Sequence, residues 1–152
     1  MTYEEALKLA DAKGLIVKEQ DLTDSEGLIK GNRIAIRRSI RTTKRKSEVL
    51  AEEICHKDLS VGDITDYTGA NAKRQEQIAR TASYQMKVSF DMLIAAFQKG
   101  IRNQWELAEY LDCTEEFLID ALEHYHEKYG RGVRYKDYYI YFEPNFAIVK
   151  LI

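Results

Sequence analysis

The spacing of apolar residues alternates along the chain between a helical and a strand-like period, and this alternation predicts the order of its elements. Thr2 and Glu5 have capping-box spacing before a short apolar stripe that Gly14 can end, which predicts an N-terminal helix. Residues 15–17 then predict a brief strand. Residues 27–37 carry two apolar runs about a Gly-Asn pair, and they predict a β-hairpin.

The remainder of the chain is mostly helical in pattern until a β-rich tail at 138–152. Residues 58–71 are rich in Gly, Asp and Thr and predict a connecting loop. Asn103 and Thr114 are the candidate N-caps of two later helices. Apolar residues at the helical period predict helices over 43–57, 72–86, 89–99, 103–111 and 115–129. Helices and strands in separate stretches of the chain are typical of the α+β class.

Composition narrows the possible functions. The 152 residues include 23 Lys and Arg against 25 Asp and Glu, so the net charge of −2 gives no overall attraction to nucleic acid or to an anionic membrane. Two cysteines are too few for a disulfide framework or a four-cysteine zinc site. Residues 1–20 are charged throughout, and no apolar run approaches the ~20 residues that span a bilayer. We therefore expect a cytoplasmic protein with no membrane partner.

The sharpest chemical signal is the segment AEEICH at residues 51–56. Residues four apart share one face of a helix, so Glu52 and His56 point the same way and Glu53 lies one step round. The H-E-x-x-H zinc helix holds its metal with residues at this spacing, and its glutamate acts as the general base. Glu52 stands where that motif has its first histidine. A carboxylate oxygen is also a zinc ligand, and it tolerates other divalent metals.

Glu76 is a candidate third ligand, because an antiparallel second helix would bring it against Glu52 and His56. Asp63 and Asp66, in the intervening loop, could orient His56 as hydrogen-bond acceptors. The alternative is that E-E-x-x-H arises by chance in a charged helix. The glutamates are then solvated, His56 complements the helix dipole, and the aspartates only form turns.

The stretch 27–56, with its hairpin, basic helix start and L-A-E-E-x-x-H, resembles the N-terminal half of ImmA/IrrE metallopeptidase-like proteins, especially small phage and prophage members. The element around Glu76, residues 106–116 and residues 139–144 are also similar to that family. The resemblance extends over roughly 1–145.

The resemblance implies a small zincin-like metallopeptidase domain over residues 1–88, with a short antiparallel sheet and active-site helices. It implies a C-terminal helical, helix-turn-helix-like part with terminal strands over residues 89–152. We expect the two parts to pack together as one compact unit.

The resemblance also implies Glu52, His56 and Glu76 as zinc ligands, Glu53 as catalytic base, and hydrolysis of a peptide bond. Its implied substrate or partner is a helix-turn-helix repressor in a phage or mobile element. Glu52 departs from the family pattern, and a second carboxylate lowers the electrophilicity of the metal. The alternative is a non-catalytic interaction protein that binds a repressor, or less favourably DNA, through the same scaffold.

Residues 30–46 contain eight Lys and Arg and no acidic residue. Such a block can bind phosphates. The candidate partner-binding patch within it consists of Arg37, Arg38, Arg41, Lys44, Arg45 and Lys46. The alternative is a solvated strand edge and helix start, which the near-neutral total charge favours.

Residues 103–129 resemble a helix-turn-helix pair. The second helix of this pair carries five acidic residues against one lysine. A DNA-reading helix needs cations and amides instead, so DNA binding by this pair is disfavoured. A helical packing module, or a docking surface for a basic partner, is the better interpretation.

Overall fold

The computed structural model describes residues 1–59 and 69–152, which divide into two units, Met1–Lys87 and Val88–Ile152. Each unit combines three helices with a three-stranded sheet, which confirms the predicted α+β class. No helix in these described ranges is long and apolar enough to cross a membrane.

The first unit begins with the predicted N-terminal helix and continues through three strands to two long helices. Its elements are α1 Tyr3–Ala12, β1 Ile16–Gln20, β2 Gly27–Lys30, β3 Arg33–Arg37, α2 Thr43–Leu59 and α3 Gly69–Lys87. The capping box is confirmed, because the Glu5 amide donates to Thr2 Oγ1 at 3.1 Å and the Thr2 amide to Glu5 Oε2 at 3.0 Å. The hairpin is confirmed as well, with β2 and β3 antiparallel.

The sheet of the first unit is mixed, whereas a short antiparallel sheet was expected. Its strand order is β1-β3-β2, and β1 runs parallel to β3 from Ile16 beside Arg33 to Gln20 beside Arg37. The hairpin fixes β3 antiparallel to β2, and β1 occupies the opposite edge of β3. A strand on that edge can run in either direction, so the hairpin pattern in the sequence could not decide it.

The core of the first unit lies between one face of this sheet and helices α1 and α2. Ile34 and Ile36 of β3 are buried against Leu50 and Ile54 of α2, together with Ala10 of α1. Strand residues alternate in direction, so burial of Ile34 and Ile36 turns Arg33 and Ala35 to the opposite face of the sheet. Among the described residues of this unit, the helices therefore pack on one face of the sheet only, which leaves the other face open.

The predicted loop at 58–71 is too long at both ends. Helix α2 continues to Leu59, and α3 already begins at Gly69. The small polar residues that form loops also occupy the first turn of a helix, so composition did not separate the two. Residues 60–68 lie outside the described residues.

Two buried polar residues join α2 to the end of α3. Lys87 is fully buried, and its Nζ donates a hydrogen bond to Ser47 Oγ. The Ser47 hydroxyl in turn donates to the Lys44 carbonyl at 3.0 Å. A buried ammonium is costly unless it is hydrogen-bonded, so this contact fixes where the last turn of α3 meets the first turns of α2.

The second unit carries three helices followed by an antiparallel sheet. Its elements are α4 Phe90–Gln98, α5 Gln104–Leu111, α6 Glu115–Tyr129, β4 Gly132–Tyr135, β5 Tyr138–Tyr141 and β6 Ala147–Lys150. Asn103 and Thr114 cap α5 and α6 as predicted. Strand β4 was not predicted, because it has only four residues and its turn places Lys136 at a φ of 53°, where glycine or asparagine is the usual signal.

We expect Ser47→Ala to lower the free energy of unfolding by about 1–3 kcal/mol, because it removes a hydrogen-bond acceptor of the buried Lys87 ammonium. Chemical denaturation followed by circular dichroism measures this loss. Ser39→Ala, at an exposed serine before α2, is the control and should change stability by less than about 0.5 kcal/mol. If both substitutions lower the free energy of unfolding equally, the Ser47 hydrogen bond contributes no more to stability than an exposed serine does.

Candidate metal centre

Helix α2 places its core-forming residues and its candidate metal ligands on different faces. Leu50 and Ile54 are buried in the core, and their spacing of four residues keeps them on one side of the helix. Glu52 and His56 have the same spacing but lie two positions further on. Their side chains are 19% and 16% exposed, so they stand at the border of the core rather than inside it.

Helix α3 brings Glu76 to this border, as the sequence predicted. His56 Nε2 lies 3.2 Å from Glu76 Oε1. One ligand atom from each of Glu52, His56 and Glu76 lies within 4.8 Å of the other two. The Glu76 side chain is 60% exposed, so the group opens to solvent on the α3 side.

The three side chains fit a zinc ion in type and nearly in spacing. Zinc takes imidazole nitrogen and carboxylate oxygen at about 2.0–2.2 Å, so ligand atoms in a tetrahedral site stand roughly 3.4 Å apart. The His56–Glu76 pair already has this spacing. The remaining separations are at most 4.8 Å, somewhat wider than a tetrahedral zinc site requires. An exposed third ligand leaves room for the open position that catalytic zinc sites keep.

Arg80 is a charged neighbour of the site that the sequence analysis did not single out. Its Nη2 lies 3.8 Å from Glu52 Oε1. Arg80 follows Glu76 by four residues, so both project from the same face of α3. The four-residue spacing of Glu76 and Arg80 was the feature of the sequence that could have identified Arg80.

Glu53 lies beside the three candidate ligands and is held against the edge of the sheet. A Cβ atom added to Gly27, the first residue of β2, would stand 3.1 Å from Glu53 Oε1 and 2.6 Å from Val49 Cγ1. Because Gly27 has no side chain, the Glu53 carboxylate can occupy the space beside it. Sequence alone did not single out Gly27, because a glycine at the start of a strand has many uses.

Burial controls the protonation of the two adjacent glutamates. Loss of solvent raises the pKa of Glu53 to about 7, although the neighbouring His56 opposes this rise. Burial also raises the pKa of Glu52, and the positive charge of Arg80 works against it. With its pKa raised to about 7, the Glu53 carboxyl group can exchange a proton near neutral pH, as a general base must.

The other predicted site residues do not join this group. Asp63 and Asp66 lie outside the described residues. Within the basic patch, Arg38 pairs with Asp21 at 3.3 Å, and Lys46 pairs with Glu19. Three of the six residues of this patch, Arg45 among them, therefore form ion pairs within the protein, and partner binding by this patch stays a prediction.

Arg45 is the most strongly held member of that patch. It contacts Glu26 at 2.7 Å and the buried Glu48 at 3.2 Å. The hydrogen bond from Arg45 lowers the pKa of Glu26, so this carboxylate stays charged in the folded protein. Arg37 donates to the Thr23 carbonyl at 3.3 Å, and Arg41 is exposed.

No protein-family model, curated protein or solved structure gives a significant match to this chain.

We expect Gly27→Ala to destabilise the protein by about 1–3 kcal/mol, because the new methyl group overlaps Val49 and presses on Glu53. Thermal or chemical denaturation measures the loss. The matched test repeats the substitution in a Val49→Ala background, where most of the overlap is gone. The cost of Gly27→Ala should fall there, whereas strictly additive costs would contradict the proposed contact.

Proposed function

We propose that this chain is a zinc-dependent endopeptidase of the ImmA/IrrE type, with a small zincin-like domain. We further propose that it acts in the cytoplasm for a phage or other mobile element, and that it cleaves or relieves a helix-turn-helix repressor. The observation that carries the proposal is the convergence of Glu52, His56 and Glu76 from two helices. The repressor, the mobile element and the cytoplasm rest on the resemblance of residues 27–56 and 76 to that family.

Glu52, His56 and Glu76 are the residues that would hold the metal. Zinc at such a site supplies Lewis-acid polarisation of a peptide carbonyl and lowers the pKa of water. Glu53 would accept the proton of the attacking water and deliver it to the departing amine. Its carboxylate lies beside Gly27, where any larger side chain would press on it.

The edge of the first sheet offers a place for an extended peptide. Among the described residues, β2 pairs only with β3, so its other edge keeps backbone groups free for a further strand. A peptide that adds to a sheet edge is bound through main-chain hydrogen bonds, with little demand on its sequence. Because Gly27 begins this strand, such a peptide would pass beside Glu53.

One observation favours the second candidate, a protein that binds a repressor without hydrolysis. Arg80 contacts the carboxylate of Glu52, and that contact competes with a metal for the same oxygen. Two carboxylates among three ligands also reduce the electrophilicity of a bound metal. A site of this kind can keep the geometry of a peptidase active site while hydrolysing peptide bonds only slowly.

We expect protein purified without chelator to contain about one zinc per chain, and His56→Ala and Glu76→Ala to lose it. Elemental analysis after dialysis measures the content. Glu115→Ala, which removes an exposed helix glutamate in the second unit, is the control and should leave the zinc content unchanged. Wild-type protein that takes up no metal even from added zinc would rule out the peptidase proposal.

We expect Glu53→Gln to keep the metal but to slow cleavage by about 10²- to 10⁴-fold, because the amide cannot accept a proton. Gel analysis of candidate repressors, with a transcription reporter beside it, measures the effect. Glu4→Gln, at a solvent-exposed position, is the control. Relief of repression that persists fully in Glu53→Gln would support the non-catalytic candidate instead.

A further inference from the structure

The open face of the first sheet is a charged and partly apolar surface, separate from the candidate metal centre. Alternate residues of β1, β2 and β3 form it, because their neighbours point into the core. We call this surface the open sheet face, and its central members are Ile16, Lys18, Leu28, Lys30, Arg33 and Ala35. Ile16 and Leu28 are 45% and 43% exposed, which is high for aliphatic residues in strands.

Among the described residues, the basic residues named above do not form the ion pairs that other basic residues of the first unit form. Lys30 and Arg33 stand directly opposite each other in the hairpin, an arrangement that destabilises a sheet. Neither these two nor Lys18 forms an ion pair within residues 1–59 and 69–152. No strand residue on this face is acidic. By contrast, Arg38, Arg45 and Lys46 each have an acidic partner.

The shape of the open sheet face also suits an incoming side chain. Ala35 lies between Lys18 of β1 and Leu28 of β2 in one row across the sheet. Its small side chain leaves a hollow of about 380 Å³ that is bordered by the exposed aliphatic residues and the cations. The surface therefore fits an apolar side chain surrounded by carboxylates. It has no aromatic ring on which a nucleic-acid base could stack.

Helix α6 of the second unit presents a surface of that description. Ile119 is 41% exposed at the middle of the helix. Glu115, Glu116 and Glu123 stand four or three residues away from it, and Asp120 is adjacent, so they surround it on the outer face of the helix. All four acids are exposed, and none forms an ion pair within the described residues.

We infer that the open sheet face of one molecule binds the acidic face of α6 of a second copy of this chain. The sheet presents cations around exposed aliphatic residues, and α6 presents carboxylates around an exposed isoleucine, so the two surfaces are complementary in charge and in apolar character. Charge complementarity sets the orientation and excludes like-charged partners. The two faces are different surfaces, so the contact is head-to-tail, and its extent depends on protein concentration and salt.

Sedimentation velocity of the full chain tests this inference through a charge-swap mixture. The sheet variant is Lys18→Glu with Arg33→Glu, and the helix variant is Glu116→Lys with Glu123→Lys. Each variant alone carries like charges on both faces of the contact, so we expect its association to weaken by at least about tenfold. In an equimolar mixture, the acidic α6 of the sheet variant meets the intact sheet of the helix variant. The acidic sheet of the sheet variant also meets the basic α6 of the helix variant, so both contacts are complementary there. We expect the mixture to associate at least as strongly as wild type.

Salt and a control variant complete the test. Wild-type association should fall between about 0.1 M and about 1 M salt, where the Debye length shrinks from about 10 Å to about 3 Å. The control Lys73→Glu with Arg74→Glu makes the same charge change on exposed residues of α3 and should associate like wild type. A wild type that stays monomeric at low salt up to submillimolar concentration would overturn the inference, even if it bound an acidic polymer such as heparin. A mixture of the two variants that stays monomeric while wild type associates would overturn it too.

Discussion

The packing of α2 on the sheet is the contact on which the rest of the first unit depends. Leu50 and Ile54 bury one side of the helix against Ile34 and Ile36, and this fixes the rotation of α2 about its axis. Once that rotation is fixed, the geometry of an α-helix places Glu52 and His56 at the border of the core. A slip of one residue would turn these side chains by about 100° and scatter the candidate ligands.

The parts of the fold that follow from local rules could be predicted from the sequence. The capping box at Thr2, the β2–β3 hairpin and the caps Asn103 and Thr114 all depend on residues within a few positions of each other. The parallel pairing of β1 with β3 depends on contacts between distant residues, for which the sequence carries no local signal. The ligand spacing within α2 was local too, whereas the roles of Gly27 and Arg80 emerge only when the elements are packed together.

In the described part of the first unit, some basic residues form ion pairs with acidic residues and others do not. The block at residues 30–46 is uniform in sequence, yet in the fold Arg45 and Lys46 turn towards acids of the loop and strand while Arg33 turns away from them. The alternation of side chains along a strand and the rotation of a helix about its axis determine whether a basic residue reaches an acidic partner. A basic stretch therefore does not predict a basic surface, and the near-neutral total charge of the chain conceals two faces of opposite sign.

The central position of β3 has a consequence for the integrity of the amino terminus. Strand β1 covers one edge of β3 and β2 covers the other, so neither edge of this strand, the most buried of the first unit, is exposed. Trimming of residues 1–20 by a protease would remove β1 and leave the backbone of β3 open beside Ile34 and Ile36. An open edge of that kind is a template for intermolecular strand pairing. The first twenty residues thus protect the edge of β3 from strand pairing between molecules.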